Sequence, residues 1–216
     1  MTDMKMRNLK IRALLPAVLA LLALLLPTLA SAQDATPSKL VLENSQRILS
    51  TLEKRRDEFQ NDRGALEAFI ASEFNATFDR DYAARQVLGR HARGASAGDV
   101  SLFADALADN LMRRYGSSLL DFNTRLKVRI KSETVLPRGL GVKVASELLR
   151  KGGEPIPVDY FMRKSGDSWK VFDVMVEGVS FVQTFRRQFD NELSRKSIKQ
   201  VAAELAAGKV SVDAGG

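Results

Sequence analysis

The apolar residues of this 216-residue chain change period half-way along. In the first half they recur every three or four positions. Leu40, Leu42, Ile48, Leu49 and Leu52 fall between Pro37 and about Phe59, a shorter set covers Asp62 to Phe74, and a third covers Asp79 to Ala92. A long fourth set steps through Val100, Phe103, Leu107, Leu111, Tyr115 and Leu119. That spacing gathers each set on one face of a helix, and Thr36 followed by Pro37 supplies the cap and first turn of the first. From Arg125 onward the period drops to two. Arg125, Lys127, Arg129 and Lys131 alternate with Leu126, Val128 and Ile130, which predicts a strand with one wet face. Val142, Val144, Ser146 and Leu148 repeat the alternation after a turn at Pro137 to Gly141, and Ile156, Val158, Tyr160 and Met162 repeat it after Lys151-Gly152-Gly153.

A fourth strand follows Ser165-Gly166-Asp167, with Phe172, Val174 and Val176 on one face. It runs through a Glu177-Gly178-Val179-Ser180 turn into an aromatic helix where Phe181, Phe185 and Phe189 recur at helical spacing. Ser180 with Gln183 fits a capping box, and so does Ser197 with Gln200 at a last helix. Short links between four consecutive strands predict an antiparallel meander. The helices, N-terminal and C-terminal, are expected on one side of it, as in α+β domains.

Residues 1 to 32 have the layout of a secretory signal. Lys5, Arg7, Lys10 and Arg12 precede an apolar run from Ala13 to Leu26, and Ala30-Ser31-Ala32 offers small residues for cleavage. The run contains Pro16 and falls short of the roughly 20 residues that span a bilayer. The expectation is a cleaved signal followed by one domain over residues 33–216. With no cysteine the exported chain has neither a thiol for lipid attachment nor a disulfide, so a free soluble protein is expected. Losing the four basic residues and Asp3 takes 33 basic and 26 acidic residues to 29 and 25, a mild balance. The charges are spread, with small clusters such as Lys54-Arg55-Arg56 and Arg186-Arg187, and no basic stripe interleaved with aromatics argues for nucleic acid.

Candidate chemistry is sparse. Gly94-Ala95-Ser96-Ala97-Gly98 matches the G-x-S-x-G hydrolase elbow, but an elbow follows a strand and precedes its histidine in the chain. Here the preceding segment reads as helix and the single histidine, His91, lies upstream. Ser96 with Asp99 fits a helix cap instead. One histidine and no cysteine cannot assemble the usual zinc sets, and no Walker or dinucleotide glycine pattern occurs, so neither metal nor cofactor is expected. Asp159, Asp173 and Glu177 lie in or beside apolar strands, where a carboxylate needs a partner. One reading makes Asp159 or Asp173 a buried general base with Tyr160 as donor. The other pairs Asp173 or Glu177 with Arg163 or Arg186, so that the Glu177-Gly178-Ser180 turn is pinned to the helix after it.

The run from Trp169 to Phe189, most specific from Trp169 to Ser180, and the Val158-Asp159-Tyr160-Phe161-Met162-Arg163-Lys164 segment, with Val87-Leu88-Gly89 and Tyr115-Gly116 upstream, resemble the MlaC family of periplasmic phospholipid-binding proteins. This is also the toluene-tolerance auxiliary family of ABC transporters. The resemblance implies a curved antiparallel sheet packed against helices, NTF2-like in character. It implies a non-enzymatic periplasmic carrier of diacyl phospholipid. Its partners would be an outer-membrane lipoprotein–porin complex and the substrate-binding subunit of an inner-membrane ABC transporter. Strand parity then nominates Val128, Ile130, Val142, Val144, Val158, Tyr160, Phe172 and Val174 as the cavity face, with Phe181 and Phe185 closing one side. His91-Ala92 and Ser197-Ile198-Lys199 depart from the family's pattern, so no partner contact is carried over. The rival expectations are a small pocketed enzyme and a ligand-free adaptor with a solid core.

Overall fold

A computed structural model describes residues 36–115, 120, 126–210 and 212. The expected signal at residues 1–32, and the Leu119 and Arg125 ends of two expected elements, lie outside the described residues. Helix α1 (Pro37–Lys54) starts where the Thr36 side chain accepts from the Lys39 N–H. It does not continue to Phe59 as one piece, because Arg55 leaves helical geometry (φ −103°, ψ 20°) and α2 (Arg56–Asn61) begins anew. Asp62 and Asp79 cap α3 (Arg63–Thr77) and α4 (Arg80–Leu88). After a 3-10 turn at Gly89–Ala92, α5 (Ala97–Tyr115) starts with the Ser96 hydroxyl accepting from the Asp99 N–H at 3.0 Å. The serine of G-x-S-x-G is therefore a helix cap.

Strands β1 (Lys127–Val135), β2 (Val142–Leu149), β3 (Ile156–Ser165), β4 (Ser168–Val176) and β5 (Val179–Ser180) form one antiparallel sheet in chain order. The expected four strands become five because Val179 and Ser180, read as turn, fold back on Val176 and Met175. Glu177 (φ 50°) and Gly178 (φ 84°) form the two-residue loop, and positive φ at both positions is what a tight hairpin of this twist needs. Helix α6 (Phe181–Leu193) follows at once. Helix α7 (Ile198–Ala206) carries the complete Ser197/Gln200 capping box.

Two bulges reset which side chains share a face. In β1, Ile130 pairs with Ser146 and Ser132 with Ala145, so Lys131 is extra; in β4, Asp173 pairs with Phe161 and Val171 with Met162, so Phe172 is extra. Each bulge moves the residues beyond it to the other side.

Helices cover both faces, not one. On the first face α1 lays Val41 on Val142, Val144, Met162 and Val171, with Phe78 beside them. On the second face, at β3 and β4, Phe161, Phe172 and Met175 are also apolar, and Tyr82 of α4 meets Phe172 edge-on with ring centroids 5.2 Å apart. That half of the sheet needs cover on both sides. Helices α4 to α7 supply a core of their own there, built on Val100, Phe103, Phe189, Val201 and Leu205, and α4 and α6 rest on β4. The β1–β2 half has a wet second face, where Glu147 pairs with Arg129 (2.5 Å) and Lys131 (3.1 Å).

Candidate functional site

The site follows from how α1 crosses the sheet. Val41, Ser45, Ile48 and Leu52 are spaced four, three and four residues apart and so share one side of the helix. Val41 belongs to the sheet cluster. Ile48 and Leu52 belong instead to a second cluster with Phe59, Leu66, Phe69 and Ile70 of α2 and α3. Between them the Ser45 side chain hydrogen-bonds the Tyr160 hydroxyl, whose pKa is pushed up by burial, with this bond opposing the shift. The sheet core and the helix core are thus separate clusters held by one helix.

Beyond Tyr160 the same face of the sheet continues without a described cover. Pairing sets Val128 against Leu148, Leu148 against Ile156, and Val158 against Val176. All five are half-buried, and none joins the described packing of either cluster. Ser146 alone is polar in that row, and its hydroxyl donates to the Val158 carbonyl at 2.8 Å, so no free hydroxyl interrupts the surface. A contiguous apolar face left half-open beside a packed core is the mark of a binding surface. Chemically it offers van der Waals contact and exclusion of water to an apolar guest.

The expected cavity residues divide into three groups. Val128, Ile130, Val158, Tyr160 and Val174 lie on this face, half-buried; Val142 and Val144 share it but sit under Val41 as core, Val144 with no exposure. Phe172 is on the opposite face, because the bulge that makes it the extra residue sends its ring to Tyr82 and Phe161. Phe181 and Phe185 do not close the sheet side either: they belong to the helical core with Val87 and Phe103. Leu148, Ile156 and Val176 were legible by parity. Ser45, Ile48 and Phe69 were not, because helix periodicity gives a face but not the element it meets.

The carboxylates are held structurally. Asp159 pairs with Lys143 at 3.4 Å. Asp173 makes no described ion pair with Arg186. It caps α6, accepting from the Ser180 hydroxyl (2.6 Å) and the Val182 N–H (3.0 Å), while Ser180 accepts from the Gln183 N–H (3.1 Å). Burial raises the Asp173 pKa, and the bonds from Ser180 and Val182 and the nearby Arg186 charge oppose this. Arg186 turns instead to Gln86, donating from Nε to its carbonyl at 2.6 Å, and Arg163 pairs with Asp79 (2.5 Å) over the Tyr82 ring. Glu177 is exposed and in no described ion pair; its backbone N–H donates to the Pro157 carbonyl. His91 faces Asp190 at 3.0 Å. Among the described residues no group of His, Cys, Asp and Glu is placed to hold a metal, and no helix is long and apolar enough to cross a membrane.

A family model described as MlaC protein matches residues 42–207. The chain belongs to the MlaC family. Within reach of it by sequence are the toluene tolerance protein ttg2D of Pseudomonas putida, 25% identical over 82% of this chain and 85% of that one, and the intermembrane phospholipid transport system binding protein MlaC of Haemophilus influenzae, 20% identical over 80% and 81%. A phospholipid-binding protein from Ralstonia solanacearum, solved in complex with a phospholipid, shares the fold with a TM-score of 0.70 at 21% identity, over 81% of this chain and 98% of its own. The α+β architecture is therefore that of an MlaC-family protein.

Proposed function

We propose that this MlaC-family protein is a periplasmic phospholipid carrier whose acyl chains lie on the open half of the sheet, along Val128, Leu148, Ile156, Val158 and Val176, with Ile130, Tyr160 and Val174 at the border of the packed half. The observation that carries the reading is this half-buried apolar row facing the helices without a described cover. It is supported by the phospholipid named for the Haemophilus and Ralstonia relatives. The secretory layout of residues 1–32 supports the compartment.

The energetics require enclosure. Two acyl chains hold on the order of 30 methylenes at about 0.8 kcal/mol each, so leaving them in water costs on the order of 20 kcal/mol. Release then needs a partner that offers an equally apolar destination. An outer-membrane lipoprotein–porin complex at one end and the substrate-binding subunit of an inner-membrane ABC transporter at the other fit that need. The protein itself spends no fuel: its part is to bind, shield and hand over.

Native mass spectrometry of the purified protein, followed by organic extraction, tests the reading. Diacyl lipid is expected in the native protein, with most of it lost from Val128→Asp and Val158→Asp variants that keep their circular dichroism. An empty native protein, or undiminished lipid in both folded variants, overturns it.

A further inference from the structure

On the second face of the sheet, behind the lipid surface proposed above, a groove of about 520 Å³ opens between β3, β4, the β1–β2 loop, α4 and α6. Phe161, Phe172 and Met175 of the strands, Leu136 and Leu140 of the loop, and Val182 of α6 line it. Val182 also packs against the helical core, whereas the strand and loop side chains belong to no described core cluster. Leu140 is 52% exposed and the other five are half-buried. The groove shares strands with the inner face but not residues, because Tyr160 and Val174 point one way while Phe161, Asp173 and Met175 point the other.

Its polar side is cationic. Arg186 and Arg187 of α6 both line the groove. Gln86 orients Arg186, its carbonyl accepting from Nε at 2.6 Å and its Oε1 from Nη2 at 3.3 Å, and Arg187 donates from Nη2 to the Thr184 hydroxyl at 3.3 Å. A guanidinium carries five N–H donors, so these bonds leave donors on both groups. Among the described residues Asp173 is the one carboxylate in the lining, and both of its oxygens accept bonds from the start of α6. An apolar floor with guanidinium groups at its edge matches a guest with one greasy part and one anionic oxygen-bearing head. A groove of about 520 Å³ has room for one acyl chain.

We infer that this groove binds a single-chain amphiphile with an anionic head, the chain over Phe161, Phe172 and Met175 and the head against Arg186 and Arg187. The groove lies outside the inner face, so the inference stands or falls separately from the phospholipid reading. The same head chemistry occurs as the carboxylate of a free fatty acid and the phosphate of a one-chain phospholipid.

Titration of the full protein with dodecanoate, dodecyl phosphate and neutral dodecanol, kept below their aggregation thresholds and followed by calorimetry and native mass spectrometry, tests it. One equivalent of either anion is expected to add to whatever the protein already carries, with dodecanol at least about tenfold weaker. The better of the two anions identifies the source of the head. Leu140→Asp, at an exposed loop position, and Arg187→Gln are each expected to weaken the anion by about tenfold or more, whereas Val158→Asp on the inner face leaves it unchanged. The inference is overturned by absence of saturable binding, by equal affinity for dodecanol, by native affinity in both groove variants, or by displacement of a resident diacyl lipid in place of addition to it.

Discussion

The carboxylate of Glu133 holds the start of α1: its Oε2 accepts the Ser38 backbone N–H at 3.0 Å and the Ser38 hydroxyl at 2.6 Å. The bulge at Lys131 makes this contact. Arg129 and Lys131 face outward to Glu147, and an unbroken alternation would send Glu133 after them. The extra residue places Glu133 opposite Val144, on the α1 side. Because α1 carries Val41, Ser45 and Ile48 across the sheet, this anchor also fixes the border of the open apolar face. Glu133→Ala and Ser38→Ala are each expected to cost about 1 kcal/mol in urea unfolding, as loss of a helix cap does. In the double mutant the two losses should fall short of their sum by about 0.5 kcal/mol or more. Strict additivity would mean that the contact contributes nothing.

Asp173 gives a pH dependence of known sign. Its folded-state pKa lies above the ordinary aspartate value, chiefly because burial disfavours the charge. Over the interval between the two values the folded protein keeps a proton that the unfolded chain has lost, so stability falls as pH climbs from about 4 through the folded value and levels off above it. Asn at this position keeps an acceptor for the Val182 N–H without the charge. The Tm difference, wild type minus Asp173→Asn, should therefore decline across that interval. A rising difference would contradict the burial argument.

Gly141 admits no side chain. Its φ is 134°, and a Cβ built there runs into the Met162 carbonyl oxygen on the neighbouring strand. Gly141→Ala should cost about 3 kcal/mol or more, since backbone strain and a clash with backbone add. Gly139, in the same loop with φ 66° and open space around it, should cost about 1 kcal/mol on the same change. Equal losses in chemical denaturation would show that the close approach to β3 is not what selects glycine.

Val144 and Val158 share a face but not an environment. Val144 is fully buried under α1, and Val158 is half-buried with no described core partner. In lipid-free protein, Val144→Ala should cost about 2–3 kcal/mol and Val158→Ala less than about 1. If Val158→Ala costs as much as Val144→Ala, the open half of the sheet is ordinary core.

Much of the fold was legible in the chain because its signals are local. The caps at Thr36, Ser96 and Ser197 act within three residues, and the alternation in Val142 to Leu148 and Ile156 to Met162 is set by the pleat of each strand alone. The bulges at Lys131 and Phe172 were not legible, since an extra residue is defined only against the neighbouring strand, and each shifts everything beyond it by one side. Strand parity alone puts Phe172 on the wrong face for this reason. Phe181 and Phe185 had the right spacing for a buried helix face, but which core that face met depended on α4, a hundred residues earlier.

By itself, then, the sequence determined the α+β class, the order of its helices and its four longer strands, and the parity of each unbroken strand. Tertiary structure alone decided which part of the sheet's apolar row is core and which is open. Periodicity reports the side to which a residue points, and Val144 and Val158 point to the same one. The line of α1, set by Glu133 at its start and by Ser45 against Tyr160 in its middle, covers the first, while the second stays half-buried outside the described core.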